Sequence, residues 1–200
     1  MKICGLRDAH SVDVAVDEQV NAIGFVFAPA SPRFIEATEA VRLVNRIPRH
    51  IETVGVFRNQ PLEDVLRISA AADVSTVQLH GDEPASDFLS VKARGLRTIR
   101  ATSARAYLEH AHAEGNSAVD YLLLDAPIPG GGATFDDRDL IRSPPTHPWI
   151  MAGGLNPENV TALVQRMQPW GVDVSSGVES TRGIKDPARI RAFVAAARLV

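Results

Sequence analysis

Four reactive side chains stand at or just beyond the ends of short apolar segments in the 200-residue sequence. Cys4 closes KIC, His80 follows VQL, Asp125 follows VDYLLL, and Arg33 lies in the Pro-rich loop after NAIGFVF. A thiol and a carboxyl group on opposite sides of a ligand can serve as base and acid in proton transfer. Each residue also has an ordinary structural interpretation: a lone cysteine is often a small buried hydrophobe, and the others can cap turns or lie in solvent.

Two loops that contain glycine follow the last two apolar segments. Gly153-Gly154 comes after WIMA, and Ser175-Ser176-Gly177 comes after VDV. Glycine lacks the Cβ that would keep backbone N–H groups away from an anion. We therefore predict a phosphate site formed by Gly153, Gly154, Ser175, Ser176 and Gly177, with a short helix over residues 177–182 whose N-terminus points at the phosphate. The alternative is that both loops are ordinary tight turns.

Lys2 stands two residues before Cys4, and alternation along a strand places their side chains on the same face. If Cys4 points inward, Lys2 is buried as well, and a buried ammonium group needs a carboxylate partner. Asp173, in the last apolar segment, is predicted to be that partner. If Cys4 is a reactive thiol, positive charge from Lys2 or Arg33 is expected to lower its pKa.

The elements that must position these residues alternate along the chain. Eight strand patterns alternate with eight helical patterns at about 25 residues per unit, which predicts a parallel sheet covered by helices. The count favours a (β/α)8 TIM barrel, with residues 1–200 as one domain of near-minimal length for this fold. An open doubly wound sheet is the alternative, but no GxGxxG follows the first strand.

Active sites of such barrels lie at the C-terminal ends of the strands, so the reactive residues would share one mouth. Helix starts are predicted near Asp8, Asn156 and Pro187 from their capping and first-turn preferences. A further helix is predicted over residues 103–114.

Composition restricts the partners and the compartment. The net charge of -3 argues against broad binding to nucleic acid or anionic membranes. A single cysteine cannot form an internal disulfide, which indicates a reducing compartment. No apolar run approaches the ~18 residues of a membrane span, and strand-like sequence from residue 2 leaves no room for a signal peptide. A cytoplasmic protein that is a monomer or a homodimer is expected.

Seven motifs resemble, in order, those of the phosphoribosylanthranilate isomerase family. They are KICGL, SPRFI, VQLHGDE, LLLDA, FD after a glycine loop, AGGLNPENV and DVSSGVES. The resemblance covers essentially the whole chain and implies a (β/α)8 barrel that acts in the third step of tryptophan biosynthesis from chorismate. It implies an Amadori rearrangement of N-(5-phosphoribosyl)anthranilate, a small phosphosugar, to 1-(2-carboxyphenylamino)-1-deoxyribulose 5-phosphate, without a cofactor or metal.

The resemblance also implies roles for individual residues. Cys4 matches the general base, Asp125 the general acid, and Arg33 the arginine near the anthranilate carboxylate. His80 and Asp173 match positions that line the pocket and bind substrate, and the two glycine-containing loops match the phosphate end. Because the acid must carry a proton at neutral pH, burial is expected to raise the pKa of Asp125.

Three segments depart from the family pattern. The glycine loop, usually GGxGxxFDW, has Pro129 for its first glycine, Ala133 where lysine is common, and Asp137 for tryptophan. Arg7 replaces the threonine of KICGxT, and Arg182 stands where proline often precedes GxKD. None of these changes removes a residue with an assigned chemical role.

Other phosphosugar enzymes share parts of the pattern. The histidine-biosynthesis isomerase performs the same chemistry but has a carboxylate where Cys4 stands. A ribulose-phosphate epimerase would need several His and acidic metal ligands at strand ends, where His80 and Asp125 are the convincing candidates. From a different class, a barrel could bind a phosphate ligand without catalysis, and the paired acid and base argue against it.

Overall fold

The computed structural model describes residues 1–109, 119–125 and 137–199. Its strands β1 to β8 close into a parallel barrel in which neighbours follow chain order and β8 pairs with β1. The bounds are β1 (Lys2–Cys4), β2 (Ala22–Val26), β3 (Glu52–Phe57), β4 (Thr76–Leu79), β5 (Arg97–Ser103), β6 (Tyr121–Asp125), β7 (Trp149–Ala152) and β8 (Gly171–Val174). The predicted (β/α)8 TIM barrel is confirmed.

Helices α1 to α8 follow the barrel strands. Their bounds are α1 (Ala9–Asp17), α2 (Ala37–Val44), α3 (Leu62–Ala72), α4 (Ala85–Lys92), α5 (Ala104–Glu109), α6 (Asp137–Arg142), α7 (Val160–Met167) and α8 (Pro187–Ala197). The helix predicted over 103–114 is described only as far as Glu109, and its remainder lies outside the described residues. No helix among the described residues is long and apolar enough to cross a membrane.

The helix starts show why the capping pattern was informative. Asp8 accepts a hydrogen bond from Ser11 N at 2.8 Å and caps α1. Pro187 opens α8, as predicted. The start predicted at Asn156 is early, because Asn156 Oδ1 accepts from the backbone N–H groups of Glu158 and Asn159 and forms a separate turn before α7.

Side-chain alternation divides the core into two parts. Outward-facing side chains such as Ile3 and Leu124 pack under the helices. The barrel interior is filled by smaller and branched side chains: Cys4, Ala22, Val26, Val54, Val56, Ile99, Ala101, Leu123, Ile150 and Ala152. Cys4 therefore points into the barrel.

The short helix predicted over residues 177–182 is wrong beyond its first turn. A 3-10 helix spans Ser176–Val178, and a hairpin follows, with β9 (Glu179–Thr181) antiparallel to β10 (Ile184–Lys185). Gly183, with φ of +85°, lies in the connection between these strands. The hairpin places Lys185 opposite Glu179, and their side chains form an ion pair at 2.9 Å.

Candidate active site

A cavity of about 330 Å³ opens at the C-terminal ends of the barrel strands. It is lined by all of the predicted site residues except Gly177: Cys4, Arg33, His80, Asp125, Gly153, Gly154, Asp173, Ser175 and Ser176. These residues come from β1, β6 and β8 and from the loops that follow β2, β4, β7 and β8. Closure of the parallel barrel brings together side chains that lie up to 172 residues apart in the sequence.

Gly177 does not line this cavity. A Cβ at this position would overlap the carbonyl oxygen of Leu155. The carbonyl of Gly177 accepts a hydrogen bond from Arg189 Nε at 3.0 Å. The absence of a side chain at Gly177 therefore lets the loop after β8 pack closely against the loop after β7. Gly177 thus contributes to the shape of the predicted phosphate site without lining the cavity.

Lys2 lies beneath Cys4 in the barrel interior. The Lys2 Nζ donates to Asp173 Oδ1 at 3.0 Å, and the Lys2 side chain is only 3% exposed. The predicted buried ion pair is therefore confirmed. Gly24, opposite Cys4 in the register of β1 and β2, provides the space: a Cβ there would lie 2.9 Å from Cys4 Sγ and 3.2 Å from Lys2 Cε.

The predicted lowering of the Cys4 pKa is wrong. Burial raises the pKa of the Cys4 thiol, and this effect exceeds the opposing influence of the Lys2 ammonium group. Lys2 interacts with Cys4 by charge and by a side-chain hydrogen bond as well as with Asp173. The unliganded site therefore holds Cys4 mainly as the thiol at neutral pH, with a cation beside it.

Asp125 lies on the opposite side of the cavity and contacts His80. The Asp125 Oδ2 is 2.9 Å from His80 Nε2, and the Asp125 side chain is 44% exposed. The burial expected for this carboxyl is therefore wrong. The reason is its position as the last residue of β6, where the side chain reaches the open mouth.

Gln78 extends the series of polar contacts from Asp125 and His80 into the barrel interior. Its Nε2 lies 3.3 Å from His80 Nδ1, and its residue is 1% exposed. If the amide donates to Nδ1, the proton of neutral His80 is on Nε2 and is directed at Asp125. Within the described part of the chain, Gln78 Oε1 is buried without a hydrogen-bond partner.

Arg33 is held by a carboxylate that the sequence analysis did not identify. Its Nε and Nη2 donate to the two oxygens of Glu179 at 2.6 and 3.0 Å. Glu179 also accepts from Lys185 Nζ at 2.9 Å and from Gly183 N at 3.0 Å. Burial opposes ionisation of Glu179, but these hydrogen bonds and the charge of Lys185 lower its pKa to about 2.

Lys185 connects this ion-pair cluster to the predicted phosphate loop. Its Nζ donates to the carbonyl of Ser175 at 2.9 Å and lies 3.3 Å from the Ser175 hydroxyl. Burial lowers the pKa of Lys185, with Glu179 opposing that effect. The spacing of Glu179 and Lys185 around Gly183 was the available sequence signal, since it fits a hairpin with facing charges.

A metal ion in a protein is usually held by several His, Cys, Asp or Glu side chains that lie close together. Among residues 1–109, 119–125 and 137–199, no cluster of three or more His, Cys, Asp or Glu side chains has that arrangement. The altered glycine loop, Pro129 to Ala133, and the following Phe135-Asp136 lie outside the described residues.

Comparisons with known proteins agree with this geometry. The family model for N-(5'phosphoribosyl)anthranilate (PRA) isomerase matches residues 1–196. The N-(5'-phosphoribosyl)anthranilate isomerase of Moorella thermoacetica is 41% identical over 203 residues, which cover 99% of this chain and 89% of the relative.

Two solved structures are similar over nearly their whole length. TrpF from Jonesia denitrificans has a TM-score of 0.88 and 44% identity, with 98% of this chain and 95% of that chain covered. A phosphoribosyl anthranilate isomerase in complex with reduced 1-(o-carboxyphenylamino)-1-deoxyribulose 5-phosphate has a TM-score of 0.88 and 32% identity, with 100% and 98% covered.

Proposed function

Because the chain belongs to the N-(5'-phosphoribosyl)anthranilate isomerase family, we propose that Cys4 and Asp125 are the general base and general acid of this isomerisation. The protein is an isomerase of tryptophan biosynthesis and its substrate is a small phosphosugar. The observation that supports the two roles is their shared cavity, since the thiol of β1 and the carboxyl of β6 open on it from non-adjacent strands.

The proposed reaction begins when Asp125 donates a proton to the furanose ring oxygen. The C1–O bond breaks, and the nitrogen lone pair forms the protonated C1=N Schiff base. This iminium group acidifies the proton on C2, which the Cys4 thiolate removes to give an enolamine. Protonation at C1 and loss of the proton from the C2 hydroxyl then yield the aminoketose.

The proposed thiolate forms in a site that favours the thiol when no ligand is bound. Lys2 reduces the cost of this ionisation, because its buried ammonium group contacts Cys4 and is already paired with Asp173. Deprotonation changes a neutral ion pair beside a neutral thiol into one cation between two anions. Lys2 is thus proposed to stabilise the reactive form of the base.

The two anionic groups of the substrate, its carboxylate and its phosphate, are assigned to different parts of the cavity. Arg33 is proposed to bind the anthranilate carboxylate, with His80 and Asp173 lining the space between the ends. The phosphate is assigned to Gly153, Gly154, Ser175 and Ser176. Gly153 and Gly154 have φ of +88° and +61°, a backbone conformation that presents N–H groups without side-chain interference.

Turnover of freshly generated N-(5'-phosphoribosyl)anthranilate, followed by the loss of its fluorescence, tests the proposed roles. We expect Cys4→Ala and Asp125→Asn each to lower kcat/KM by about 10² to 10⁴, the usual contribution of a general acid or base. Asp120→Asn is the matched control, because Asp120 precedes the other end of β6 and pairs with Lys92 at 2.9 Å. A fully active Cys4→Ala enzyme would exclude Cys4 as the base.

The proposal extends to the organisation of the protein. Residues 1–200 are proposed to form one catalytic domain, which pairing of the first and last barrel strands supports. The domain is proposed to act in the cytoplasm as a monomer or a homodimer, and sedimentation equilibrium of the purified protein distinguishes these two states.

A further inference from the structure

Among the described residues, Glu179 is the most completely bonded carboxylate at the mouth of the barrel. Its side chain is 4% exposed and accepts hydrogen bonds from Arg33, Gly183 and Lys185. The two bonds from Arg33 use its Nε and Nη2, which form one edge of the planar guanidinium group. Within the described residues, the edge formed by Nη1 and the second Nη2 proton makes no further hydrogen bond, so it can receive another planar anion.

Two glycines allow close packing around the loop that carries Arg33. A Cβ on Gly5, whose φ is +78°, would lie 2.6 Å from Arg33 Cδ, so the arginine stem crosses directly over the end of β1. A Cβ on Gly183 would lie 2.7 Å from the carbonyl oxygen of Pro32, the residue before Arg33. The loop that carries Arg33 therefore packs between β1 and the β9–β10 hairpin.

We propose that Glu179 is a positioning residue that fixes the guanidinium of Arg33 edge-on, so that its free edge selects ligands with an aromatic carboxylate. The inference rests on the proposed role of Arg33 as the contact for the anthranilate carboxylate. An arginine without this partner would sample many rotamers, and the entropy lost on ordering it would oppose binding. Glu179 removes that cost before the ligand arrives.

The charges of the cluster are compatible with binding an anion. Arg33 and Lys185 are two cations that share the single carboxylate of Glu179. These three side chains together therefore carry one net positive charge. The Lys185 ammonium group donates to the carbonyl of Ser175, whereas the Arg33 side chain lines the cavity. Glu179 thus orients the arginine without cancelling the attraction of the cluster for a carboxylate.

The test compares two unreactive ligands that differ by one group. One is reduced 1-(o-carboxyphenylamino)-1-deoxyribulose 5-phosphate, and the other is the same compound made from aniline, without the carboxylate. Calorimetric titration gives a Kd for each, and their ratio isolates recognition of the carboxylate. We expect the unmodified protein to prefer the carboxylated ligand and Glu179→Gln to reduce this preference about tenfold, the size expected for hydrogen bonds to charged groups.

Ser175→Ala is the matched control, since it removes a hydroxyl at the proposed phosphate end and leaves Arg33, Glu179 and Lys185 with their charges. It is expected to weaken both ligands by the same factor through their shared phosphate and to leave the ratio unchanged. A merely structural role of Glu179 would give the same result in Glu179→Gln, and that outcome would overturn the inference. Glu179→Asp, which keeps the charge but shortens the reach, is the second variant if Glu179→Gln does not fold, and it too should lose the preference.

Arg33→Ala separates this inference from the function on which it rests. If Arg33→Ala removes the preference and the Glu179 variants retain it, the inference about Glu179 fails and the role of Arg33 stands. If Arg33→Ala retains the preference, the proposed role of Arg33 fails and the inference fails with it. Loss of the preference in Arg33→Ala and in the Glu179 variants supports both.

Discussion

At the scale of single residues, the proposed base presents an energetic problem that Lys2 addresses. Burial raises the pKa of the Cys4 thiol, whereas proton abstraction needs the thiolate. Lys2 contributes in the opposite direction, both by its charge and by a hydrogen bond. The net pKa therefore reflects two competing effects, and the contribution of Lys2 can be measured separately.

Replacing Lys2 with Met should raise the pKa of Cys4 further, because burial and the charge of Asp173 are then opposed only by the weaker effect of the Lys185 charge. The rate of alkylation by iodoacetamide follows the thiolate fraction, and the single cysteine of the chain makes the labelling specific. We expect the alkylation profile and the acidic limb of kcat/KM to move to higher pH. Lys92→Met, which removes a partly exposed ammonium group, is the control.

Lys2→Met also leaves Asp173 buried without its cation. The double variant Lys2→Met/Asp173→Asn removes this complication. Asp173 by itself raises the pKa of Cys4 less than Lys2 lowers it, so the double variant should still show a shift to higher pH. An unchanged alkylation profile in both variants would contradict a role for Lys2 in stabilising the thiolate.

At the scale of elements, β2 contributes to the site through a missing side chain. Gly24 faces the barrel interior, where a Cβ would press on Cys4 Sγ at 2.9 Å. Gly55 in β3 faces outward, where a Cβ would lie 3.0 Å from Phe57 and 3.1 Å from Phe27. A methyl group added at either glycine would therefore meet similar steric crowding, inside the barrel at Gly24 and outside it at Gly55.

Gly24→Ala and Gly55→Ala should each destabilise the protein by about 1–3 kcal/mol, the usual cost of overpacking. Only Gly24→Ala should lower kcat, because only its new methyl group displaces the thiol. Urea unfolding measures the first effect and steady-state turnover the second. Equal losses of kcat in both variants would indicate that general strain, rather than the position of Cys4, limits the reaction.

The elements also show why some predictions succeeded. Short apolar strands that alternate with capped helices indicated both the barrel and the edge at which the reactive residues meet. Lys2 and Asp173 could be paired because strand alternation and barrel closure are regular. These rules depend on local patterns and on the order of strands, which a sequence contains directly.

The predictions that failed depended on three-dimensional balances. The direction of the Cys4 pKa depends on how much burial outweighs a nearby cation, and a sequence does not contain that comparison. Glu179 belongs to the DVSSGVES motif, but its role depends on a hairpin that brings it to Arg33, which lies 146 residues away in the sequence. Gly177 matched the phosphate motif and instead packs against Leu155.

At the scale of the whole molecule, the proposed catalytic site and an aromatic contact expected to contribute to stability lie at opposite ends of the barrel. The cavity at the C-terminal ends of the strands carries the proposed chemistry. At the other end, Trp170, which is 61% exposed, stacks on Tyr121 with ring centroids 5.0 Å apart. Contacts at the N-terminal end of such barrels generally contribute to stability rather than to the reaction.

This separation predicts additive effects on the thermal midpoint. Removing the aromatic pair in Trp170→Ala should cost about 1 kcal/mol, which corresponds to a decrease in Tm of about 2–4 °C for a chain of this size. Reduced 1-(o-carboxyphenylamino)-1-deoxyribulose 5-phosphate at 100 times its Kd should add about 2.7 kcal/mol by binding only the folded state. That stabilisation corresponds to an increase of about 5–11 °C.

Differential scanning calorimetry of both proteins, with and without this ligand, measures the two effects together. Sites at opposite ends of the barrel share no partners, so the ligand should raise Tm equally in the unmodified protein and in Trp170→Ala. Gly24→Ala, at the ligand end, is the contrasting variant and should show a smaller increase because its methyl group displaces Cys4. A smaller increase in Trp170→Ala would mean that the two ends of the barrel are energetically coupled.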